Sequence, residues 1–482
     1  MLAGLRTNWP MLNPCPSGRS SLPVKSASLS AQALPERRRP AAKGLAPMTE
    51  VSAKPTLSDL TAEFARIGCL SFGGPAGQIA LMHRRIVDER KWVGEGDYLA
   101  ALNFCHLLPG PEAQQLATWI GWRLHGPRGG LISGLLFVLP GVAVMLGLSL
   151  LYVAAVGLSW FDALFLGVKA AVLAIVAQAL LRIAGRALKT GFHRLLALAA
   201  FIAMAVFAVD FPWVIGTAAL LGVLAARWRP EWNGAGHAPP AASTNGAKTG
   251  MVAATLRTTF LWGIIWGAPL LLVAMTVGFD HILWDIGTFF AKLAVVTFGG
   301  AYAVLAYMAQ EAAGPLGWVT TAQMADGLGL AETTPGPLIL VTQHIGFLAA
   351  WANPDPFSPW LAAILAALLV SWVTFAPCFL WIFALAPWID RLRSIAALQA
   401  ALSALTAAVV GAIASLSLWF AIHLLFTREM QVQGLTLPDP ASLHLPALGL
   451  ALVAALLLFR TKAGVFGTLA ATAGAGLLTG QF

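Results

Sequence analysis

The sequence predicts an all-α polytopic membrane protein with two inverted-topology repeats, and three observations support this prediction. The chain has 482 residues, of which 58% are hydrophobic and only 11% charged, and its mean hydropathy is +0.76. Apolar segments of about 20 residues, each long enough to cross the hydrocarbon core, recur along most of the chain. Breaks rich in glycine and proline interrupt some of these segments, and the breaks themselves recur.

The recurrence has a constant spacing. Ser-Phe-Gly-Gly at 71–74 returns as Thr-Phe-Gly-Gly at 297–300, and Pro-Gly-Pro at 109–111 returns at 335–337. The residue numbers of the two copies differ by 226 throughout, without a gap. We interpret this as an internal duplication in which each copy keeps the same helix breaks.

The N-terminal stretch differs in composition from the rest. Residues 1–56 are rich in Ser, Pro and Ala, carry the cluster Arg37–Arg39, and have no apolar core of signal-peptide type. We expect a disordered basic extension. The composition of this extension has two explanations. Either translation starts at Met48 and the preceding residues are not part of the protein, or the protein carries a basic disordered tail.

The first repeat is predicted at 57–227 and the second, inverted repeat at 280–482. Between them we expect a polar linker at 228–256 and a linking transmembrane helix at 257–279. Each repeat has two broken segments followed by four spans. The broken segments are predicted at about 57–91, 97–125, 284–309 and 322–350. The spans are predicted at about 131–156, 159–182, 194–209, 212–226, 360–388, 396–423, 443–459 and 463–480.

The placement of charge favours re-entrant hairpins over full crossings for the broken segments. If each hairpin returns to its own side, the basic loops of the first repeat, including Arg84 to Lys91, share one side, which the positive-inside rule makes the cytoplasm. The matching loop of the second repeat, Met308 to Gln323, contains Glu311 and neither Lys nor Arg. Asp326 and Glu332 then fall outside as well, and only Arg428 is misplaced. The linking span therefore inverts the second repeat.

Broken helices within a membrane offer a binding site. Their unpaired backbone groups are tolerated only where they are buried in protein or line a cavity. Each half-helix after a break points its positive dipole end and free N–H groups towards the midplane, and glycine there allows a ligand to approach the backbone. The pattern favours an anion site at the repeat interface. Tight helix packing, or a cation site at the carbonyl ends, is the alternative.

The candidate binding residues flank these breaks. Arg66 and Lys292 occupy equivalent positions, where two cations would attract a multivalent anion, or would simply snorkel at a hairpin mouth. Glu112 begins a half-helix and either complements its dipole or couples protons. The predicted set is Arg66, Ser71, Gly73, Gly74, Gln78, Gly110, Glu112, Gln114, Gln115, Lys292, Thr297, Gly299, Gly300, Gly336 and Gln343. His344, like the glutamines, is a candidate hydrogen-bond donor to oxyanion oxygens, and Asn103, His106 and Lys169 are weaker candidates.

Other classes of function find no support in the sequence. The four cysteines have no C-x-x-C spacing, and no metal-ligand spacing, nucleophile motif, phosphate loop or nucleotide-binding motif is present. We therefore predict a protein that is not an enzyme and binds no cofactor or metal. We attribute the net charge of +9 to lysines and arginines on cytoplasmic loops. We expect the protein to contact the lipid bilayer and no nucleic acid.

Several motifs resemble those of the chromate transporter family. They are Phe-Gly-Gly-Pro-x-x-Gln-Ile at 72–79, Arg-Lys-Trp at 90–92 and Leu-Pro-Gly-Pro-Glu-Ala-Gln-Gln at 108–115. The second repeat, with Thr-Phe-Gly-Gly at 297–300 and Thr-Pro-Gly-Pro at 334–337, looks like the C-terminal copy of long-chain members, so the resemblance covers about 57–480. The second repeat departs from the first in having Leu338 at the position of Glu112 and Val304 at the position of Gln78.

The resemblance implies export of chromate across the bacterial inner membrane, driven by the proton-motive force and conferring chromate resistance. It makes sulfate, another tetrahedral dianion, an expected competitor. A passive anion channel, or a transporter of sulfate or another oxyanion, is the alternative. A homodimer is a possible assembly.

Overall fold

The computed structural model of the protein describes residues 54–229, 249–298, 301–432, 435–461 and 463–479. These residues form seventeen α-helices and one two-stranded β-hairpin. Six of the helices are long and apolar enough to cross a membrane. The prediction of an all-α polytopic membrane protein is therefore confirmed. Gly299 and Gly300, nearly all of the N-terminal extension, and most of the linker lie outside the described residues.

The first repeat follows the predicted order of short and long helices. Its helices are α1 (Leu57–Leu70), α2 (Gly74–Met82, continued by a π-helix at His83–Glu89), α3 (Glu95–Cys105), α4 (Glu112–Ala155), α5 (Ser159–Ala187), α6 (Gly191–Ala205) and α7 (Phe211–Trp228). A kink at His125 and Gly126 divides α4 into a half-helix and a long span. Thr56 starts α1 with a capping box that it forms with Asp59.

The second repeat has the same series after the linking helix α8 (Thr249–Thr276). Its helices are α9 (Ile282–Val296), α10 (Ala301–Ala312), α11 (Thr321–Thr333), α12 (Val341–Ala352), α13 (Pro359–Leu385), α14 (Ile389–Arg393), α15 (Ala396–Leu425), α16 (Leu445–Arg460) and α17 (Gly464–Thr479). Helix α8 begins eight residues before its predicted start at 257. The hairpin of β1 (Glu429–Val432) and β2 (Leu435–Pro438) was not predicted, and Arg428 directly precedes it.

The duplication extends to backbone hydrogen bonds in the loop that follows the first broken segment. The Trp92 N–H donates to the Ile86 carbonyl at 2.9 Å, and the Trp318 N–H donates to the Ala312 carbonyl at 2.9 Å. Each residue of the second pair follows its counterpart by 226, so the same loop conformation occurs in both repeats.

The chain reverses direction at the first two breaks. Arg85 and Arg90, which follow the first break, contact Glu63, which precedes it, at 2.6 and 2.9 Å. A continuous helix would separate Glu63 from Arg85 by about 33 Å, at 1.5 Å per residue. In the second broken segment, Asp97 and Arg123 approach to 3.9 Å in the same way. Both segments of the first repeat are therefore hairpins.

The longest helix after the hairpins of each repeat packs against helices of the other repeat. Helix α15 packs against α6 and α7, while α5 packs against α16 and α17. A Cβ added at Gly222 would lie 2.6 Å from the Ala400 carbonyl oxygen, and one added at Gly476 would lie 2.3 Å from that of Ala163. Ala163 on α5 and Ala400 on α15 thus make equivalent contacts, and their residue numbers differ by 237. We therefore treat residues of α5 and α15 whose numbers differ by 237 as counterparts. We call α5–α7 and α15–α17 the peripheral group, and α1–α4 with α8–α13 the hairpin group.

The two repeats differ in how the peripheral group covers their hairpins. Helices α10 and α11 of the second repeat pack against α15 and α5. Their counterparts α2 and α3 are much more open: Leu99 is 45% exposed, whereas the equivalent Ala325 is 3% exposed. The structure is thus asymmetric: the peripheral group encloses the hairpins of the second repeat and leaves α2 and α3 of the first repeat more exposed, with Phe466 on α17 in contact with Phe72 at the first break.

Candidate functional site

The breaks of the two repeats bond to each other. The Gly110 N–H donates to the Thr297 carbonyl oxygen at 2.9 Å, and the Gly336 N–H donates to the Ser71 carbonyl oxygen at 2.8 Å. Both glycines have positive φ, at 109° and 94°, a conformation that favours glycine. The second break of each repeat is therefore tied to the first break of the other, and we call this arrangement the crossing.

The hydroxyl groups at the crossing are already engaged. Ser71 Oγ donates to the Ile67 carbonyl, and Thr297 Oγ1 donates to the equivalent Leu293 carbonyl. Each hydroxyl thus satisfies a carbonyl that the end of its own helix leaves unpaired. In this arrangement the two hydroxyl hydrogens support the breaks and do not point towards a ligand.

Carboxamide side chains of the first repeat brace the crossing. Gln78 Nε2 donates to the Gly336 carbonyl at 2.6 Å, and Gln115 Nε2 donates to the Pro109 carbonyl at 2.6 Å. Gln114 Nε2 donates to the backbone of α13 at 3.3 Å. The Oε1 atoms of all three are buried without a hydrogen-bond partner among the described residues. These carboxamides hold backbone at the breaks and keep spare acceptor capacity.

Two predicted site residues make contacts of their own. The Glu112 carboxylate lies 2.9 Å from His106 Nδ1, so it pairs with a histidine across the second break. Gln343 Nε2 donates to the Val142 carbonyl on α4 at 3.1 Å. In the second repeat Leu338 and Val304 replace Glu112 and Gln78, so the polar contacts of the crossing come mainly from the first repeat.

The open side of the crossing is the first break. Among the described residues beyond its chain neighbours, none has an atom within 4 Å of a Cβ added at Gly73 or Gly74, and both glycines have positive φ. A Cβ added at Gly110 would lie 3.2 Å from Cys378 Sγ, and one added at Gly336 would lie 3.2 Å from the Leu340 side chain. Space for a ligand therefore lies beside Gly73 and Gly74.

The two matched cations are both exposed. Arg66 lies on α1 and forms no ion pair or hydrogen bond with any described residue. Lys292 on α9 lies within electrostatic range of Tyr307 and Glu311. The positive charge of Arg66 is therefore freer than that of Lys292.

An ion cluster closes the mouth of the first hairpin, at its polar end. The Glu63 side chain is 1% exposed and contacts both Arg85 and Arg90. Two guanidinium groups therefore compensate one carboxylate that is almost fully withdrawn from water, and the cluster holds the two arms of the hairpin together.

Helix α11 carries two buried carboxylates that the sequence analysis did not include in the site. The Tyr152 hydroxyl donates to Asp326 Oδ2 at 2.9 Å, and the Tyr302 hydroxyl donates to Glu332 Oε1 at 2.9 Å. Charge placement had put both acids at the outer side of the protein. In the structure both side chains are buried, at 5% and 6% exposure. Two acids within one arm of a hairpin were the available signal, because ionisable residues inside a membrane usually have a function.

The chain matches one protein family twice. The family description is chromate transporter, and it matches residues 58–223 and 284–478. The chain belongs to the chromate transporter family. The two matched regions begin 226 residues apart, the same spacing as the internal duplication.

Curated relatives extend over most of the chain. It is 30% identical to a chromate transport protein of Cupriavidus metallidurans, over 74% of this chain and 81% of the relative. It is 33% identical to a chromate transport protein of Pseudomonas aeruginosa, over 60% of this chain and 66% of the relative. An uncharacterized transporter of Methanocaldococcus jannaschii is 23% identical over 76% of this chain and 85% of the relative. No solved structure matches. The chain is thus a multi-pass membrane protein of the chromate transporter family.

Proposed function

We propose that this protein is a secondary active transporter that exports chromate across the bacterial inner membrane, and that sulfate competes for the same site. The observation that carries the proposal is the crossing, where the breaks of the two repeats bond reciprocally. Membership of the chromate transporter family supports the choice of substrate.

The physical chemistry of the crossing suits a tetrahedral dianion. Helices α2 and α4 both begin at breaks, so their positive dipole ends and free N–H groups converge there. Glycine at 73 and 74 leaves room for oxyanion oxygens to reach backbone N–H groups. Arg66, five residues before the first break, adds a positive charge that no carboxylate neutralises among the described residues.

Inverted repeats give this site a route to both sides of the membrane. In the opposite arrangement, the peripheral group would pack against the hairpins of the first repeat as it now packs against those of the second. The hairpins of the second repeat would then be exposed and those of the first enclosed. Such rocking of one group of helices against another, around a fixed site, is the usual form of alternating access. With the topology predicted from charge, the arrangement described here is open to the cytoplasm.

The test is chromate flux in everted inner-membrane vesicles, in which export fills the lumen. We expect vesicles carrying the protein to raise lumenal chromate above the external concentration when a proton gradient is imposed. A protonophore should abolish this accumulation, and excess sulfate should slow it. Vesicles from cells that lack the protein are the control.

A passive anion channel gives a different result in the same experiment. With the membrane potential held at zero by valinomycin and equal potassium on both sides, lumenal chromate would rise only to the external concentration, with or without a pH gradient. That outcome would overturn active transport. If the vesicles accumulate sulfate but no chromate, chromate is not the substrate. That result would leave active transport of an oxyanion supported.

A further inference from the structure

A buried ionic cluster lies where α11 packs against α4 and α5. Lys169 Nζ is 3.3 Å from Asp326 Oδ1, and the Tyr152 hydroxyl donates to Asp326 Oδ2 at 2.9 Å. The side chains of Asp326 and Lys169 are only 7% and 19% exposed. Both charges are therefore largely withdrawn from water, and each depends on the other.

Few other titratable groups face Asp326. Asp162 on α5 lies within electrostatic range of it, and His344 comes from α12. Helix α15, which also packs against α11, has no charged side chain between Ala396 and Ile422. Lys169 is thus the one cation that acts on Asp326 among the described residues.

The histidine completes the polar side of the cluster. The rings of Tyr152 and His344 meet edge to face with centroids 5.1 Å apart, and His344 Nδ1 lies 2.9 Å from Ser149 Oγ. His344 Nε2 is buried without a hydrogen-bond partner among the described residues. A polar group that could accept or relay a proton therefore lies beside Tyr152.

The ion pair joins the two groups of helices. Lys169 belongs to the peripheral group, while Asp326 and Tyr152 belong to the hairpin group. The repeat spacing equates Asp326 with Ala100, and the spacing between α5 and α15 equates Lys169 with Thr406. If α3 packed against α15 as α11 now packs against α5, the equivalent contact would contain no charge. The ion pair can form in only one of the two arrangements.

We propose that Asp326, held by Lys169, is the proton-binding group that couples the proton gradient to oxyanion export. This inference rests on the proposed function and adds the coupling site to it. Protonation of Asp326 removes its charge and with it the attraction to Lys169. The protonated state favours the arrangement in which α11 has separated from α5.

The proton cycle follows from the asymmetry of the structure. When α11 separates from α5, Asp326 faces the outer side and its carboxylate takes a proton from water there. When α11 returns, the pair with the Lys169 ammonium forms again, and Asp326 loses its proton through the polar side chains of Tyr152 and His344 beside it to water on the cytoplasmic side. One proton moves inwards for each return that α11 makes with Asp326 protonated.

The experiment uses the full-length protein in proteoliposomes and compares Asp326→Asn with Asp285→Asn. Asp285 is an exposed acid on α9 and serves as the matched control. We measure exchange of labelled chromate at equal concentration and pH on both sides, accumulation driven by a pH gradient, and internal pH reported by a trapped dye. Exchange requires no net movement of protons, so it separates binding and transport from coupling.

We expect Asp326→Asn to keep exchange within about twofold of the wild type, to lose accumulation at least about tenfold, and to move no protons with chromate. Asp285→Asn should behave as the wild type in all three measurements. Proton-coupled accumulation by Asp326→Asn would overturn the assignment. Exchange without coupling in the wild type would instead overturn active transport.

A second variant guards against a merely structural effect. Asp326→Asn combined with Lys169→Gln leaves no buried unpaired charge, so it should fold and exchange chromate without moving protons. Loss of exchange in both variants, with wild-type elution on size exclusion, would make the pair structural and would overturn its role in coupling.

Discussion

The amide of Gly110 bonds to the carbonyl of Thr297 across the two repeats, and the amide of Gly336 bonds to the carbonyl of Ser71 in the same way. Each residue of one bond is the repeat counterpart of a residue in the other. The relation is reciprocal, as in an isologous interface between two subunits. Two broken segments that would be unstable alone thus satisfy each other.

The first prediction concerns these two glycines. Gly110→Ala and Gly336→Ala should each destabilise the protein by about 1–3 kcal/mol, because alanine is strained at positive φ. Thermal unfolding of the purified protein in detergent is the measurement. Gly147→Ala is the control, because a Cβ there has no atom of another described helix or loop within 4 Å. Equal unfolding temperatures for all three variants would contradict the role assigned to the crossing.

The second prediction concerns the matched cations. Arg66→Ala should weaken chromate binding by about 10- to 150-fold, which corresponds to the loss of one charge-assisted hydrogen bond at roughly 1.5–3 kcal/mol. Lys292→Ala should have a smaller effect, because Glu311 and Tyr307 already lie near its ammonium. Lys292→Arg should keep partial activity, since the charge remains while its geometry changes.

The concentration dependence of chromate uptake, with matched expression, measures these effects. Arg428→Ala is the control, because this exposed arginine lies beside the β-hairpin and far along the chain from the breaks. If both alanine variants transport with wild-type affinity and rate, the cations only snorkel, and the binding-site assignment fails.

The third prediction tests the inverted topology. Gly94 and Leu316 lie in equivalent loops of the two repeats, and both positions accept a cysteine without a clash. In a background with Cys15→Ser and Cys69→Ser, Gly94→Cys should react with an impermeant maleimide only from the cytoplasm. Leu316→Cys should react only from outside. Labelling of both from one side would contradict the inversion of the second repeat.

Local patterning predicted the class of fold, since the recurring apolar segments indicated a helical membrane protein and six of the described helices are long and apolar enough to cross a membrane. The glycine and proline breaks predicted the two hairpins of the first repeat. Three of the predicted spans, at about 194–209, 443–459 and 463–480, correspond to shorter helices of 15, 16 and 16 residues. The partners of those breaks could not be predicted, because Gly110 and Thr297 meet only when two distant hairpins pack. The pair of Lys169 and Asp326 was missed for the same reason: the two residues lie 157 positions apart on different helices, and only the fold brings them together.

The last prediction tests the exchange of packing between the repeats. A Cβ added at Gly329 would lie 3.7 Å from Val168 Cβ, a separation typical of disulfides. The pair Val168→Cys with Gly329→Cys should therefore cross-link in the arrangement described here. Its repeat counterparts are Leu405 and Asn103, and Leu405→Cys with Asn103→Cys should cross-link only in the opposite arrangement.

Cross-linking in the same background, with and without chromate and at two pH values, measures the balance between the two arrangements. Low pH should increase the Leu405–Asn103 product at the expense of the Val168–Gly329 product, because protonation of Asp326 releases α11 from α5. Leu181→Cys with Gly329→Cys is the control, since Leu181 is 62% exposed on α5 and should form no cross-link. Each disulfide should also stop transport until it is reduced, because a transporter held in one arrangement cannot complete its cycle. If the Leu405–Asn103 product never forms while chromate is being transported, the repeats do not exchange their packing, and alternating access by this route is wrong.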